Sequence, residues 1–148
     1  MARSGTGKTQ VLLIEDNPAD VFLFRYALDT HDVCYDLSVL TDGGVAMRWV
    51  QHAEDDGREL PDLFVLDLNL PVYSGLEILA AMRRNPRLAQ APAVILTTSD
   101  GTRDREQARA LGAVLYLRKP TNLDDFAALG APLKELIEKG RPETNHRA

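Results

Sequence analysis

"LFVLDLNLP", residues 63–71, sets four apolar residues directly against a carboxylate. The run is nearly continuous rather than alternating, as in a strand covered on both faces of a parallel sheet. A carboxylate against such a run is costly unless something meets it. The stretch therefore predicts a buried central strand and a partner for Asp67 at its end.

Working outward, five short apolar runs stand out: "QVLLI" (10–14), "YDLSVL" (35–40), "LFVLDL" (63–68), "AVILT" (93–97) and "AVLYL" (113–117). Four are nearly continuous; only the second alternates, as a half-exposed edge strand should. Helix-like stretches lie between them. Asp16-Asn17-Pro18 reads as a cap and a first-turn proline ahead of "ADVFLFRYALD". "GGVAMRWVQHAEDD", "GLEILAAMRRN", "TRDREQARAL" and "LDDFAALGAPLKELIEK" follow. Gly112 and Pro86 read as helix stops, and Gly130 with Pro132 is expected to kink or divide the last helix. Strand alternating with helix predicts a doubly wound, three-layer α/β domain. Right-handed crossovers put helices on both faces.

At 148 residues, the chain suits one domain. Residues 1–9 are expected to form a disordered basic arm and 140–148 a disordered polar tail, leaving 10–139 as the folded unit. Acidic residues outnumber basic ones, 22 to 17, which argues against a nucleic-acid footprint. The single cysteine, Cys34, excludes an internal disulfide and reads as a half-buried strand residue. No apolar run has the ~18 residues of a membrane span, so a cytoplasmic protein is expected. "SGTGKT" (4–9) resembles the end of a P-loop, but Ala2 stands where the first glycine belongs. No strand precedes it and no helix follows to supply splayed N–H groups, so it is read as part of the arm. His31, His52 and His146 show no metal-ligand spacing. Trp49 is read as packing the second helix on the sheet or as an exposed contact.

What ends each run carries the chemistry. The first ends in Glu15-Asp16, the third in Asp67 followed by Asn69, the fourth in Thr97-Thr98-Ser99 and the fifth in Arg118-Lys119-Pro120. In an open parallel sheet these ends share one edge, where ligands bind at the reversal of strand order. For order 2-1-3-4-5 that reversal lies between the first and third strands, with Asp16 and Asp67 flanking it. Crowded carboxylates repel unless a cation intervenes. Mg2+ suits the place, since it takes one or two carboxylates, keeps waters and accepts phosphate oxygens. Lys119 adds a compact positive charge and Thr97 a hydroxyl. Together these are parts for phosphoryl transfer to a carboxylate.

On these residues the chain resembles a receiver domain of two-component signalling, a CheY-like, flavodoxin-like fold with a five-stranded parallel sheet in the order 2-1-3-4-5. The resemblance covers roughly residues 10–139. Glu15-Asp16 match the acidic pair and Asp67 the phosphoacceptor, with Asn69, Pro71 and Gly75 at the expected offsets. Thr97 follows Asp67 by 30 residues and Lys119 follows Thr97 by 22, as in the family, and Tyr116 falls at the switch aromatic position. "EDNPAD", "LTTS" and the long stretch between Asp16 and Asp67 are similar to stand-alone receivers that work beside bacterial phytochromes.

The resemblance implies that Asp67 takes phosphate from a sensor histidine kinase, a bacteriophytochrome being the kind suggested. It implies Mg2+ bound by Asp16, Asp67 and the Asn69 carbonyl, with Glu15 acting through water, and phosphoryl contacts from Lys119 and Thr97. It also implies a cis Lys119–Pro120 bond, and a switch in which Thr97 moves inward and Tyr116 turns from exposed to buried. With no output domain expected, the response would be a changed surface on the fourth helix, fifth strand and fifth helix. A homodimer through that face is expected, with Phe126, Leu129, Leu133, Leu136 and Ile137 at near-helical spacing; the alternative is that they cover the sheet. Other readings fare worse. A flavodoxin-type flavin site is opposed by Glu15-Asp16-Asn17, which repels an anion. A haloacid-dehalogenase-type phosphatase needs a general acid where Asn69 stands. A receiver-like docking module without phosphorylation would not need Asp16, Asp67, Thr97 and Lys119 together.

Overall fold

The computed structural model describes residues 7–53 and 59–140. Residues 1–6 of the expected arm, most of the expected tail with His146, and positions 54–58 of the acidic loop lie outside the described residues. Five strands, β1 (Thr9–Ile14), β2 (Tyr35–Leu40), β3 (Leu63–Leu66), β4 (Ala93–Thr97) and β5 (Leu115–Arg118), alternate with α1 (Pro18–Thr30), α2 (Gly43–Gln51), α3 (Gly75–Arg84) and α4 (Thr102–Ala110). Two further helices, α5 (Leu123–Ala128) and α6 (Gly130–Gly140), complete the described residues. The strands form one parallel sheet in the order β2-β1-β3-β4-β5, as expected.

The pleat sorts the strand residues into two cores. Leu12, Ile14, Phe64, Leu66 and Ile95 pack with Met47, Val50, Ile78, Met82 and Ala108 of α2, α3 and α4. Val11, Leu13, Val65, Val94 and Leu96 pack with Phe24, Leu28, Phe126, Leu133 and Ile137 of α1, α5 and α6. At ~25 cal/mol per Å2 of buried apolar surface, burial on both faces is the main source of stability.

Local chemistry sets the element ends. Asn17 caps α1 through Ala19 N–H and Pro18 opens the helix, so Asp16 is not its cap. Gly112, at φ 84°, terminates α4 in the left-handed conformation. The last predicted helix is divided at Leu129. Pro132 has no N–H to bond the Ala128 carbonyl, and its ring would crowd that carbonyl in a continuous helix.

Several expectations need correction. β3 stops at Leu66, so Asp67 lies just past the strand, and β5 begins two residues late and ends at Arg118. β5 is not covered on both faces: it is the second edge, with Leu115, Tyr116 and Leu117 only half-buried. β2, the other edge, shows little alternation; only Ser38 is exposed. Cys34 is exposed and precedes β2. Of the two readings of Trp49, packing of the second helix on the sheet holds: it lies edge-on to Phe64 of β3, with ring centroids 5.8 Å apart. Phe126, Leu133 and Ile137 are buried and Leu129 and Leu136 pack against them, so the stripe expected at a dimer interface covers the sheet. Lys119–Pro120 is trans, the form favoured for X–Pro by ~0.5–1 kcal/mol.

Candidate phosphoacceptor site

The ladder continues past the strand ends and delivers the polar residues to one edge. Glu15 N–H donates to the Leu40 carbonyl, Asp67 N–H to Ile14 and Lys119 N–H to Thr97. Helix α3 closes in from below. A Cβ on Gly75 would collide with the backbone carbonyl of Asp67, so only glycine permits this approach. Its N–H donates to the Leu68 carbonyl at 3.0 Å. Between them runs the loop carrying Asn69, in which Val72 sits at φ 75° and Tyr73 N–H bonds back to the Pro71 carbonyl. That tight γ-turn is strained for a β-branched residue.

Lys119 is the hub. Its Nζ lies 2.7 Å from Glu15 Oε1, 2.8 Å from Asp20 Oδ2 and 3.0 Å from Asp67 Oδ2. Glu15, Asp67, Thr97 and Lys119 are all buried, whereas Asp16 is exposed. Backbone N–H groups hold two of the carboxylates: Asn17 donates to Glu15 Oε2 and Asn69 to Asp67 Oδ1, both at 3.1 Å. Burial raises Glu15 to about 7, despite the opposing pull of Lys119. Burial alone would lower the Lys119 ammonium, but its hydrogen bonds to Asp20, Glu15 and Asp67 outweigh this and raise it.

One oxygen from each of Glu15, Asp16 and Asp67 lies within 4.8 Å of the others, close enough to share a cation. Three hard oxygen donors, one solvent-facing, fit an ion that keeps part of its water shell. Thr97 joins through Asn69, whose Nδ2 donates to Thr97 Oγ1 and Thr98 Oγ1, each at 3.3 Å. Ser99 N–H also donates to Thr97 Oγ1, at 3.4 Å.

Thus Glu15, Asp16, Asp67, Asn69, Thr97 and Lys119 converge, while Tyr116 stands apart. Its ring is half-buried, not exposed as expected before phosphorylation. Its hydroxyl donates to the Ser99 carbonyl at 2.9 Å, and Arg105 stacks on the ring with Cζ 4.4 Å from the centroid.

Sequence reasoning missed Asp20 and Arg105. Asp20 reads as a first-turn carboxylate serving the helix dipole. The available signal was its position: side chains tilt toward a helix N-terminus, so a third-position carboxylate leans back over the strand end. Arg105 lies on a polar helix whose face cannot be assigned from pattern alone.

The response regulator receiver domain family matches residues 11–129. The Response regulator Rcp1 of Synechocystis sp. is 40% identical over 117 residues, which cover 78% of this chain and 80% of that protein. Among solved structures, the phosphorylated cyanobacterial phytochrome response regulator RcpA superposes with a TM-score of 0.80 at 30% identity, over 93% of this chain and 100% of that one. The Mn(2+)-bound form of Rcp1 gives 0.77 at 35% identity, over 87% and 94%. No helix among the described residues is long and apolar enough to cross a membrane.

Proposed function

The chain belongs to the response regulator receiver domain family, and from that premise we propose that Asp67 is its phosphoacceptor. The observation that carries the reading is the Lys119 ammonium 3.0 Å from Asp67 Oδ2, buried beside three carboxylate donors able to hold a metal. A phosphohistidine of a sensor histidine kinase is the donor. The Asp67 carboxylate attacks phosphorus, the P–N bond breaks as the P–O bond forms, and the imidazole leaves with the bonding electrons. Asp16 and Asp67, with Glu15 and the Asn69 carbonyl, would hold Mg2+; the Mn(2+)-bound Rcp1 supports this. The ion, when bound, offsets the charge that gathers on the phosphoryl oxygens. Lys119 and Thr97 donate to those oxygens. Water later attacks phosphorus and releases inorganic phosphate and the free Asp67 carboxylate, so the protein carries a group rather than turning over a substrate.

The output in this reading is a changed surface on α4, β5 and the α5–α6 pair, led by Thr97 and Tyr116. RcpA is a phytochrome response regulator, which supports a bacteriophytochrome as the donor kinase. A cytoplasmic location and a protein rather than nucleic-acid partner follow, the latter supported by the excess of acidic residues. A homodimer through the same face would use exposed residues of α4 and β5, since the apolar stripe of α5 and α6 is core. Acetyl phosphate with Mg2+ tests the reading: intact mass should rise by one phosphoryl group, and not in Asp67→Asn. An unchanged mass in the unsubstituted protein would refute it. Sedimentation with and without a phosphoryl mimic tests the dimer.

A further inference from the structure

We propose that Asp20 is a positioning residue that keeps part of the Lys119 ammonium from turning to the phosphoryl group and so limits how far the phosphorylated state is populated. The inference rests on the reading of Asp67 as phosphoacceptor. An ammonium has three N–H donors. In Lys119 all three are met, by Glu15, Asp20 and Asp67. Phosphorylation removes the Asp67 carboxylate charge, so that one donor passes to a phosphoryl oxygen, and the ammonium can turn further toward the phosphoryl group only if Glu15 or Asp20 gives way.

The three acceptors are not equivalent. Glu15 and Asp67 each have a second anchor in a backbone N–H. Asp20 comes from the first turn of α1, and among the described residues its carboxylate bonds only Lys119. It is also more accessible, 19% exposed against 2% for Glu15. Water can therefore take over its solvation, and of the two carboxylates that remain beside a phosphorylated Asp67, Asp20 is the one that yields. Asp20 is not one of the three carboxylates grouped closely enough to share a cation. It is thus not a candidate metal donor, and saturating Mg2+ removes the effect of its charge on metal occupancy from the measurement. When Lys119 turns to the phosphoryl group, Asp20 is left as a bare anion beside a second anion, which disfavours that state.

The experiment titrates beryllium fluoride, a phosphoryl mimic, into full-length protein at saturating Mg2+, followed by 19F NMR. Asp20→Asn keeps the shape and removes the charge. It should bind the mimic about tenfold more tightly, as expected for removing a like charge at this range. Asp20→Glu keeps the charge and should stay near the unsubstituted protein. Equal or weaker binding by Asp20→Asn overturns the inference, as does Asp20→Glu matching Asp20→Asn. If the unsubstituted protein fails to bind the mimic, the reading of Asp67 falls first and this inference with it. Asn17 still caps α1 in both variants, and a thermal melt checks that both are folded.

Discussion

Lys119 Nζ and Asp67 Oδ2 meet at 3.0 Å from strands that are not neighbours; β4 lies between them. The ammonium compensates three carboxylates at once. Lys119→Met would leave them without a buried counter-charge, a change that costs about 3–5 kcal/mol. Urea denaturation in EDTA should show that loss. Mg2+ should restore part of it, and the variant should bind Mg2+ more tightly than the parent because a competing cation is gone. Undiminished stability in EDTA would mean that the cluster is not held by this charge.

Glu15 gives the metal-free protein a pH dependence of defined sign. Its folded value of about 7 lies above the ordinary 4.5. A carboxyl raised in the fold favours folding fully below the lower value, where both states are protonated. That contribution is lost as pH climbs through the upper value. The shift amounts to about 3 kcal/mol, surrendered between roughly pH 4.5 and 7. Lys119 is raised within the alkaline range and does not contribute in this window. Chemical denaturation in EDTA from pH 5 to 8 should show stability falling, and Glu15→Gln should flatten the curve. Mg2+ displaces the proton, so its affinity should climb over the same interval.

The sheet and most of the site were legible because their signals are local. Nearly continuous apolar runs mark parallel strands, and the residues ending them must share an edge once the order is 2-1-3-4-5. Asp67, Thr97 and Lys119 were readable for that reason. Asp20 was harder to read: its position in the first turn was the one local signal, and its partner lies 99 residues away. The half-buried character of β5 was obscured by "AVLYL", which reads the same in an edge strand as in a central one. The core role of Leu133 and Ile137 depended on where Pro132 divides the helix, and spacing alone left both faces open.

Arg83 illustrates a structural device with no pattern in sequence. Its Nε donates to the Leu111 carbonyl at 2.7 Å, and Nη1 reaches the carbonyls of Leu88, Ala89 and Ala91. Nη2 completes the fork at Gly112. One planar group thus ties α3 to the loop after it and to the turn ending α4. Arg83→Ala should destabilise by about 3 kcal/mol, since it strands several carbonyls. Arg83→Lys should recover less than half, because a point ammonium cannot reproduce the fork. Thermal or urea unfolding reads both, and binding of beryllium fluoride to the folded variants should be unaltered.

Arg105 bears on how the site communicates. Its guanidinium lies 4.4 Å from the Tyr116 ring centroid, while the Tyr116 hydroxyl holds the Ser99 carbonyl two residues beyond Thr97. Both contacts hold the ring half-buried, part-way toward the inward position that the proposed switch requires. If phosphoryl binding at Asp67 and the inward ring favour one another, each must strengthen the other by the same factor. A cation–π contact at a partly exposed site contributes about 0.5–1 kcal/mol. Arg105→Ala should therefore weaken beryllium fluoride binding about two- to fivefold, although Arg105 touches none of Asp67, Thr97 or Lys119. Arg105→Lys should fall between the two. Identical affinities in all three proteins would separate the ring from the phosphoryl site and leave Tyr116 as an ordinary packing residue of the edge strand.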